Sequence, residues 1–188
     1  MRHAFANIIS VLYSFFRFAL LKLFYFRRFH YHPIERFSPN VVISMGKGAD
    51  IKLGRKVRAH SGCRFSALAG GTLRIDDGCS FGCQCILVCR HSIHIQKGVE
   101  FGPNVLIYDH DHDFRAEGGL KAGKYKNSPV VIGANSWIGA NVVILRGTTI
   151  GKNCVIGAGC VVKGNIPDHT LVVQKRETEL ISLTEENR

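Results

Sequence analysis

The densest run of reactive side chains in this 188-residue sequence is Asp109-His110-Asp111-His112-Asp113. An alcohol is a poor nucleophile until its proton is removed, and a neutral imidazole, with a pKa near ~6.5, accepts such a proton around neutrality. Either histidine can be that base. If the segment is extended, His110 and His112 face one way and the three aspartates the other. Two histidines with carboxylates nearby can also hold a metal ion, and a solvated polar loop is the plainest reading of all.

What must position this cluster is a six-residue period. From Ile132 onward an apolar residue returns at Ile138, Ile144, Ile150, Ile156 and Val162. With 46% of the chain apolar, six hits in six arise by chance roughly one time in a hundred, so the period belongs to the fold. Gly133, Gly139, Gly151 and Gly157 follow directly, and Ser136, Val142, Thr148, Cys154 and Cys160 sit four positions on. The same phase runs through Ile75, Phe81, Leu87 and Ile93, slips by two residues, and resumes at Ile95, Phe101 and Ile107. Cys79 and Cys85 again take the fourth offset.

A helix needs returns at three and four, and a free strand needs alternation at two. Six suits a short strand, a turn and another short strand, with three sides making a coil and coils stacking about 4.8 Å apart. The expected fold is mainly β, a parallel β-helix over about 41–173. Residues 108–129 break the period and contain Gly118, Gly119 and Gly123, so they are expected to protrude as a loop with the histidines at its base.

Charge is uneven along the chain. Lys and Arg number 25 against 14 Asp and Glu, a net +11, and residues 1–36 hold six basic side chains against the single acid Glu35. Such a start favours a phospholipid surface, nucleic acid or a phosphorylated ligand, and no nucleic-acid motif accompanies it. Residues 4–26 are largely apolar and about as long as a bilayer span, roughly 20 residues, but Arg17 and Lys22 interrupt them. Asn7, Ser10, Ser14 and Arg17 share one helical side, and Phe5, Ile8, Ile9, Leu12, Phe16, Ala19 and Leu23 share the other. That is the pattern of an interfacial helix, with packing on the protein's own core or a sister subunit as the alternative. No small-residue cleavage site precedes Arg27-Arg28, so a signal peptide fits poorly.

Seven cysteines without CxxC spacing fit a reducing cytoplasm, and Cys79, Cys85, Cys154 and Cys160 read as compact side chains at a crowded position of the repeat. Three segments are expected: an apolar, basic helix over 1–36, the β-helix over 37–176, and an acidic tail over 177–188.

The run Ile132-Gly133-Ala134-Asn135-Ser136-Trp137-Ile138-Gly139-Ala140 resembles the Ile-Gly-x-Asn-x-Trp-Ile-Gly signature of the hexapeptide-repeat O-acetyltransferases, the maltose, galactoside and capsule enzymes. Val155-Ile156-Gly157-Ala158-Gly159-Cys160-Val161-Val162, followed by Ile166-Pro167-Asp168, is similar to their next coils. The resemblance implies a left-handed parallel β-helix, acetyl-CoA as acyl donor, no metal, and a homotrimer with each CoA site between two subunits. Counted from Pro103-Asn104-Val105, the family's catalytic histidine falls on His112, and His112-Asp113 resembles the His-Asp pair of capsule-type members.

The resemblance thus implies His112 as base, with His110 the alternative, and Asp111 or Asp113 as the carboxylate that fixes the imidazole tautomer. The backbone amide of Ala140 would stabilise negative charge on the thioester oxygen. Trp137, Ala140 and Ala158 would line the pantetheine arm, with packing as the competing reason for both alanines. Lys163, Lys175 and Arg176 are candidates for the CoA phosphates. No residue matches an acyl-carrying nucleophile, so direct transfer in a ternary complex is expected. The metal reading corresponds to the γ-carbonic anhydrases, which carry the same repeat, and a non-catalytic scaffold is the third possibility.

This chain departs from its relatives in two places. Lys163-Gly164-Asn165-Ile166-Pro167 and Val172-Val173-Gln174-Lys175-Arg176 stand where most read Thr-Lys-Asp/Ser-Ile-Pro and then Gly-Asn-Pro-Ala, which alters the adenine end of the CoA site. Gly82 and Arg90 stand where small-sugar members place Asn and Asp for their acceptor, which disfavours maltose or a free galactoside. Gln84 and His110 are the remaining candidates for acceptor contact. Together with the basic, apolar start, these changes point to a larger or lipid-linked acceptor, such as a capsule or exopolysaccharide precursor at the cytoplasmic face of the membrane.

Overall fold

The computed structural model describes residues 2–175 and residue 177. Short parallel strands wind into a three-sided solenoid whose faces hold seven, seven and six strands, about six coils. Every periodic anchor points inward. Ile132, Ile150 and Ile166 stack on the first face, Ile138, Ile156 and Val172 on the second, and Ile144 and Val162 on the third. The columns continue upstream, Ile75 under Ile95, Phe81 under Phe101 and Leu87 under Ile107. The two-residue slip has a simple cause: strand Ser92–Ile95 turns both Ile93 and Ile95 inward, whereas Thr149–Ile150 turns only Ile150. Each such fully buried side chain contributes about 2 kcal/mol. The shared core, not the propensity of two-residue strands, therefore holds the coils.

The compact residues four positions on occupy inward corners, where a thiol or hydroxyl reaches a carbonyl of the next coil. The Cys79 thiol donates to Gln96 O at 3.1 Å, the Cys154 thiol to Pro167 O at 3.0 Å, and the Ser136 hydroxyl to Gly151 O at 2.9 Å. All seven cysteines are free. Burial pushes the Cys79 thiol up to about 12, so it stays a hydrogen-bond donor rather than a nucleophile.

The solenoid begins earlier than the boundary expected at residue 37. Phe29–His30 and Arg36–Phe37 already form its first coil, pairing with Asp50–Leu53 and Arg58–Ala59, so the boundary follows the helix α1 (Arg2–Phe24). Apart from Glu177, the tail expected over 177–188 lies outside the described residues.

Helix α1 lies across the open end of the solenoid. Phe18 is fully buried, edge-on to Phe29, Tyr31 and Phe37, and heads a column of rings running through Phe37, Phe65, Phe81 and Phe101. The first coil has no coil before it, which would leave Phe37 backbone groups without partners. Two serines of the helix supply them: Phe37 N–H donates to Ser14 Oγ at 3.0 Å, and Ser10 Oγ donates to Phe37 O at 2.9 Å. The polar stripe, which an interfacial helix would turn to water, therefore faces the protein. Ile8, Ile9, Leu12, Phe16 and Leu23 point outward, each at least 48% exposed. Among the described residues no helix is long and apolar enough to cross a membrane.

Candidate active site

Strand Leu106–Tyr108 stacks on Ile86–Cys89, and the chain then leaves the solenoid as a hairpin. His110–His112 pairs antiparallel with Tyr125–Asn127, His112 opposite Tyr125, and the tip carries a single 3-10 turn, Gly119–Ala122. The chain rejoins the stack at Val130–Ile132. This is the protrusion expected over 108–129.

Asp109 stands at the foot of the hairpin and is fully buried. Its carboxylate accepts the Arg90 N–H at 2.8 Å, the His91 N–H at 2.7 Å, the Cys89 thiol at 3.4 Å and His110 Nδ1 at 3.0 Å. Four donors offset the desolvation that would otherwise forbid a carboxylate there. With its Nδ1–H committed to Asp109, a neutral His110 ring carries its lone pair on Nε2. That ring packs edge-on against Tyr108 and Tyr125, and its side chain is only 11% exposed.

His112 is exposed, its ring tilted over Tyr125 at 4.5 Å between centroids. Neither ring nitrogen is hydrogen-bonded to another described residue. The Arg90 guanidinium lies 3.7 Å from the centroid of the same tyrosine. Tyr125 thus joins both histidines and Arg90 in one surface. Sequence reasoning missed it; the available signal was an aromatic residue in a Gly- and Lys-rich insertion.

Asp111 and Asp113 do not meet His112, which corrects the expectation that one of them fixes its tautomer. Strand alternation turns them the other way, where Arg146 Nε donates to Asp111 Oδ2 at 2.6 Å and Lys126 Nζ lies 3.0 Å from Asp113 Oδ1. The Lys126 hydrogen bond holds the Asp113 carboxyl below the usual carboxylate range. The aspartate that does hold a histidine is Asp109, on His110. Among the described residues no three His, Cys, Asp or Glu side chains converge to hold a metal ion.

The residues expected along CoA fall on another edge. Trp137 lies on the outside of the second face, 56% exposed, between Glu100 and Val155. Ala140 and Ala158 take the corner between the second and third faces. A Cβ on Gly102 would come within 2.7 Å of Ala140 N, and one on Gly139 within 2.7 Å of Ala158 N, so the corner demands glycine at 102 and 139, while Ala140 is half-buried and Ala158 exposed. The Ala140 N–H donates to no described residue. Gln84 occupies the same corner in a left-handed turn, φ 61°, and with Arg64, Asn104 and Asn141 it lines an open groove of about 550 Å³.

Lys163 is exposed at the far edge of the third face, the edge that carries Arg146 and the hairpin. Lys175 is exposed just beyond the last strand, Leu171–Val172, and Arg176 lies outside the described residues. A single chain therefore does not bring the histidines together with Trp137, Ala140, Ala158 and Gln84. They stand on opposite edges of the third face.

Residues 129–164 match the family described as bacterial transferase hexapeptide (six repeats). In repeat, register and fold the chain is similar to the hexapeptide-repeat transferases. It is 33% identical over 138 residues to Rv3034c of Mycobacterium tuberculosis, named a probable acetyltransferase, covering 64% of this chain and 46% of that protein. It is 29% identical over 130 residues to WbbJ of Escherichia coli K12, whose name assigns it provisionally to O-acetyl transfer in lipopolysaccharide biosynthesis. That match covers 65% of this chain and 66% of WbbJ, so the chain spans about half of one curated relative and about two thirds of the other. The fold is shared with AntD, an N-acyltransferase from Bacillus cereus crystallised with dTDP and 3-hydroxybutyryl-CoA. The TM-score is 0.61 at 19% identity, over 73% of each chain.

Proposed function

We propose that the protein is an acetyl-CoA-dependent O-acetyltransferase acting on a sugar hydroxyl of a capsular, exopolysaccharide or other lipid-linked glycan precursor, on the cytoplasmic side of the membrane. The observation that carries this reading is the exposed His112 imidazole at the base of a hairpin, with ring nitrogens uncommitted to any other described residue. One ring nitrogen takes the proton of the acceptor hydroxyl as its oxygen attacks the thioester carbonyl. The Ala140 N–H receives the developing oxyanion. The intermediate collapses to an acetyl ester and the thiolate of CoA, which recovers the proton from the imidazolium. Direct attack of the hydroxyl on the thioester needs no covalent acyl-enzyme.

The relatives named as acetyltransferases and the CoA-bound AntD support the donor. In this reading Trp137, Ala140 and Ala158 follow the pantetheine arm, and Lys163, Lys175 and Arg176 are the cations offered to the phosphates. His110 and Gln84 meet the acceptor. The separation of the histidines from Ala140 by the width of the third face favours a homotrimer in which the hairpin of one protomer reaches the Gln84 groove of the next.

A second reading makes His110 the base, because Asp109 fixes its tautomer and would steady its imidazolium. Its burial tells against it, since a base must reach the hydroxyl.

Incubating the purified protein with labelled acetyl-CoA and a panel of glycans tests the proposal. Label is expected on lipid-linked oligosaccharide but not on maltose or thiogalactoside. Robust transfer to free small sugars, or none to any hydroxyl, would overturn it.

A further inference from the structure

Helix α1 is amphipathic in the inverse sense. Its polar side chains, Ser10 and Ser14, are used on Phe37, and Phe18 plugs the core. The two cations that interrupt the apolar sequence also lie away from the outer face. Arg17 is half-buried, and Lys22 is half-buried with its ammonium donating to Phe29 O at 2.9 Å. What remains outward from residue 8 to residue 24 is apolar or aromatic throughout: Ile8, Ile9, Leu12, Phe16, Leu23 and Phe24 lead it, each 48–75% exposed. Phe26, 69% exposed, extends it beyond the helix. A 23-residue helix is roughly 35 Å long, so this ridge is far larger than the scattered apolar residues of an ordinary surface.

The charge beside the ridge is one-sided. Arg27 and Arg28 follow it directly, and neither is ion-paired among the described residues. Glu35, the single acid of residues 1–36, is fully buried.

We propose that the outer face of helix α1, rimmed by Arg27 and Arg28, docks in the plane of an anionic phospholipid surface. A bilayer supplies both an apolar layer for Leu12, Phe16 and Leu23 and headgroups of opposite sign for the arginines. A second copy of this chain would bring the same positive excess, and so lacks the charge complementarity. The helix lies on the surface without crossing it, its inner side remaining fastened to the first coil. This extends the proposed function by naming how a lipid-linked acceptor and the enzyme share one plane, and it is read without any acyl transfer.

The test is flotation of the full chain with phosphatidylcholine vesicles, with and without phosphatidylglycerol. Binding is expected to be about tenfold or more tighter with the anionic lipid, and to weaken at high salt. Leu12→Glu with Phe16→Glu, and separately Leu23→Glu, should abolish flotation while circular dichroism and acetyl transfer to detergent-dispersed lipid-linked acceptor persist. No flotation of the native chain, flotation unchanged in both variants, or a doubled solution mass that the variants reverse would overturn the proposal. The last result would assign the ridge to a second copy. A native chain that floats but transfers no acetyl group would count against the proposed chemistry and not against the docking.

Discussion

At the scale of single residues, the site divides tasks that the sequence runs together. Three aspartates and two histidines alternate in one stretch, yet Asp109 belongs to the solenoid wall, Asp111 to an ion pair with Arg146 and Asp113 to one with Lys126. Replacing Asp109 by Asn would turn an amide N–H2 toward Arg90 N–H, His91 N–H or His110. The expected loss is about 1–3 kcal/mol of stability, read by urea denaturation. If His112 is the base, kcat of that variant should stay within about tenfold of the native value. The alternation of the histidines was legible because it follows from strand geometry. The partner of His110 was not, because the sequence does not show that Asp109 sits beside the turn after Cys89.

At the scale of elements, the hairpin is held to the solenoid partly by Arg146 and Asp111, 23% and 48% exposed. An ion pair this wet contributes about 0–1 kcal/mol, so Arg146→Ala should barely move the melting temperature. If His112 is the base, it should nonetheless lower kcat by about tenfold, because a hairpin displaced by a fraction of an ångström misplaces the imidazole. The coils make the opposite demand. A Cβ at Gly133 would come 2.3 Å from Gly151 C, so Gly133→Ala should cost about 1–3 kcal/mol, measured by denaturant unfolding.

The six-residue period disclosed these coils because each inward anchor is buried by the coil above and below. Helix α1 was legible as a helix with an apolar and a polar side, but what its polar side meets was not. Serines at helical spacing look like a solvent side, but an open solenoid end has unpaired Phe37 backbone groups that need them more.

At the scale of the whole molecule, the solenoid is one continuous core, and its first coil contains an anomaly. Glu35 sits at the inward corner that Val57, Cys79, Val99, Ser136 and Cys154 take in later coils. Burial pushes its carboxyl up to about 8, backbone groups of Val57 and His32 only partly opposing. From about pH 4.5 to about 8 the unfolded chain is ionised there while the folded chain holds its proton. Stability should therefore fall as pH rises through that window and level off above it. Glu35→Gln should flatten the trend, gaining about 1 kcal/mol at pH 8.5 and little at pH 5, seen in melting temperatures across pH.

The proposed function requires the exposed His112 imidazole to activate a hydroxyl toward acetyl-CoA. Its most direct test is the rate of acetyl transfer by His112→Ala beside His110→Ala, with both variants verified as folded. The expected result is a fall in kcat of about a hundredfold or more for His112→Ala, with a smaller change, chiefly in KM for the acceptor, for His110→Ala. A His112→Ala protein that transfers acetyl at the native rate would contradict it.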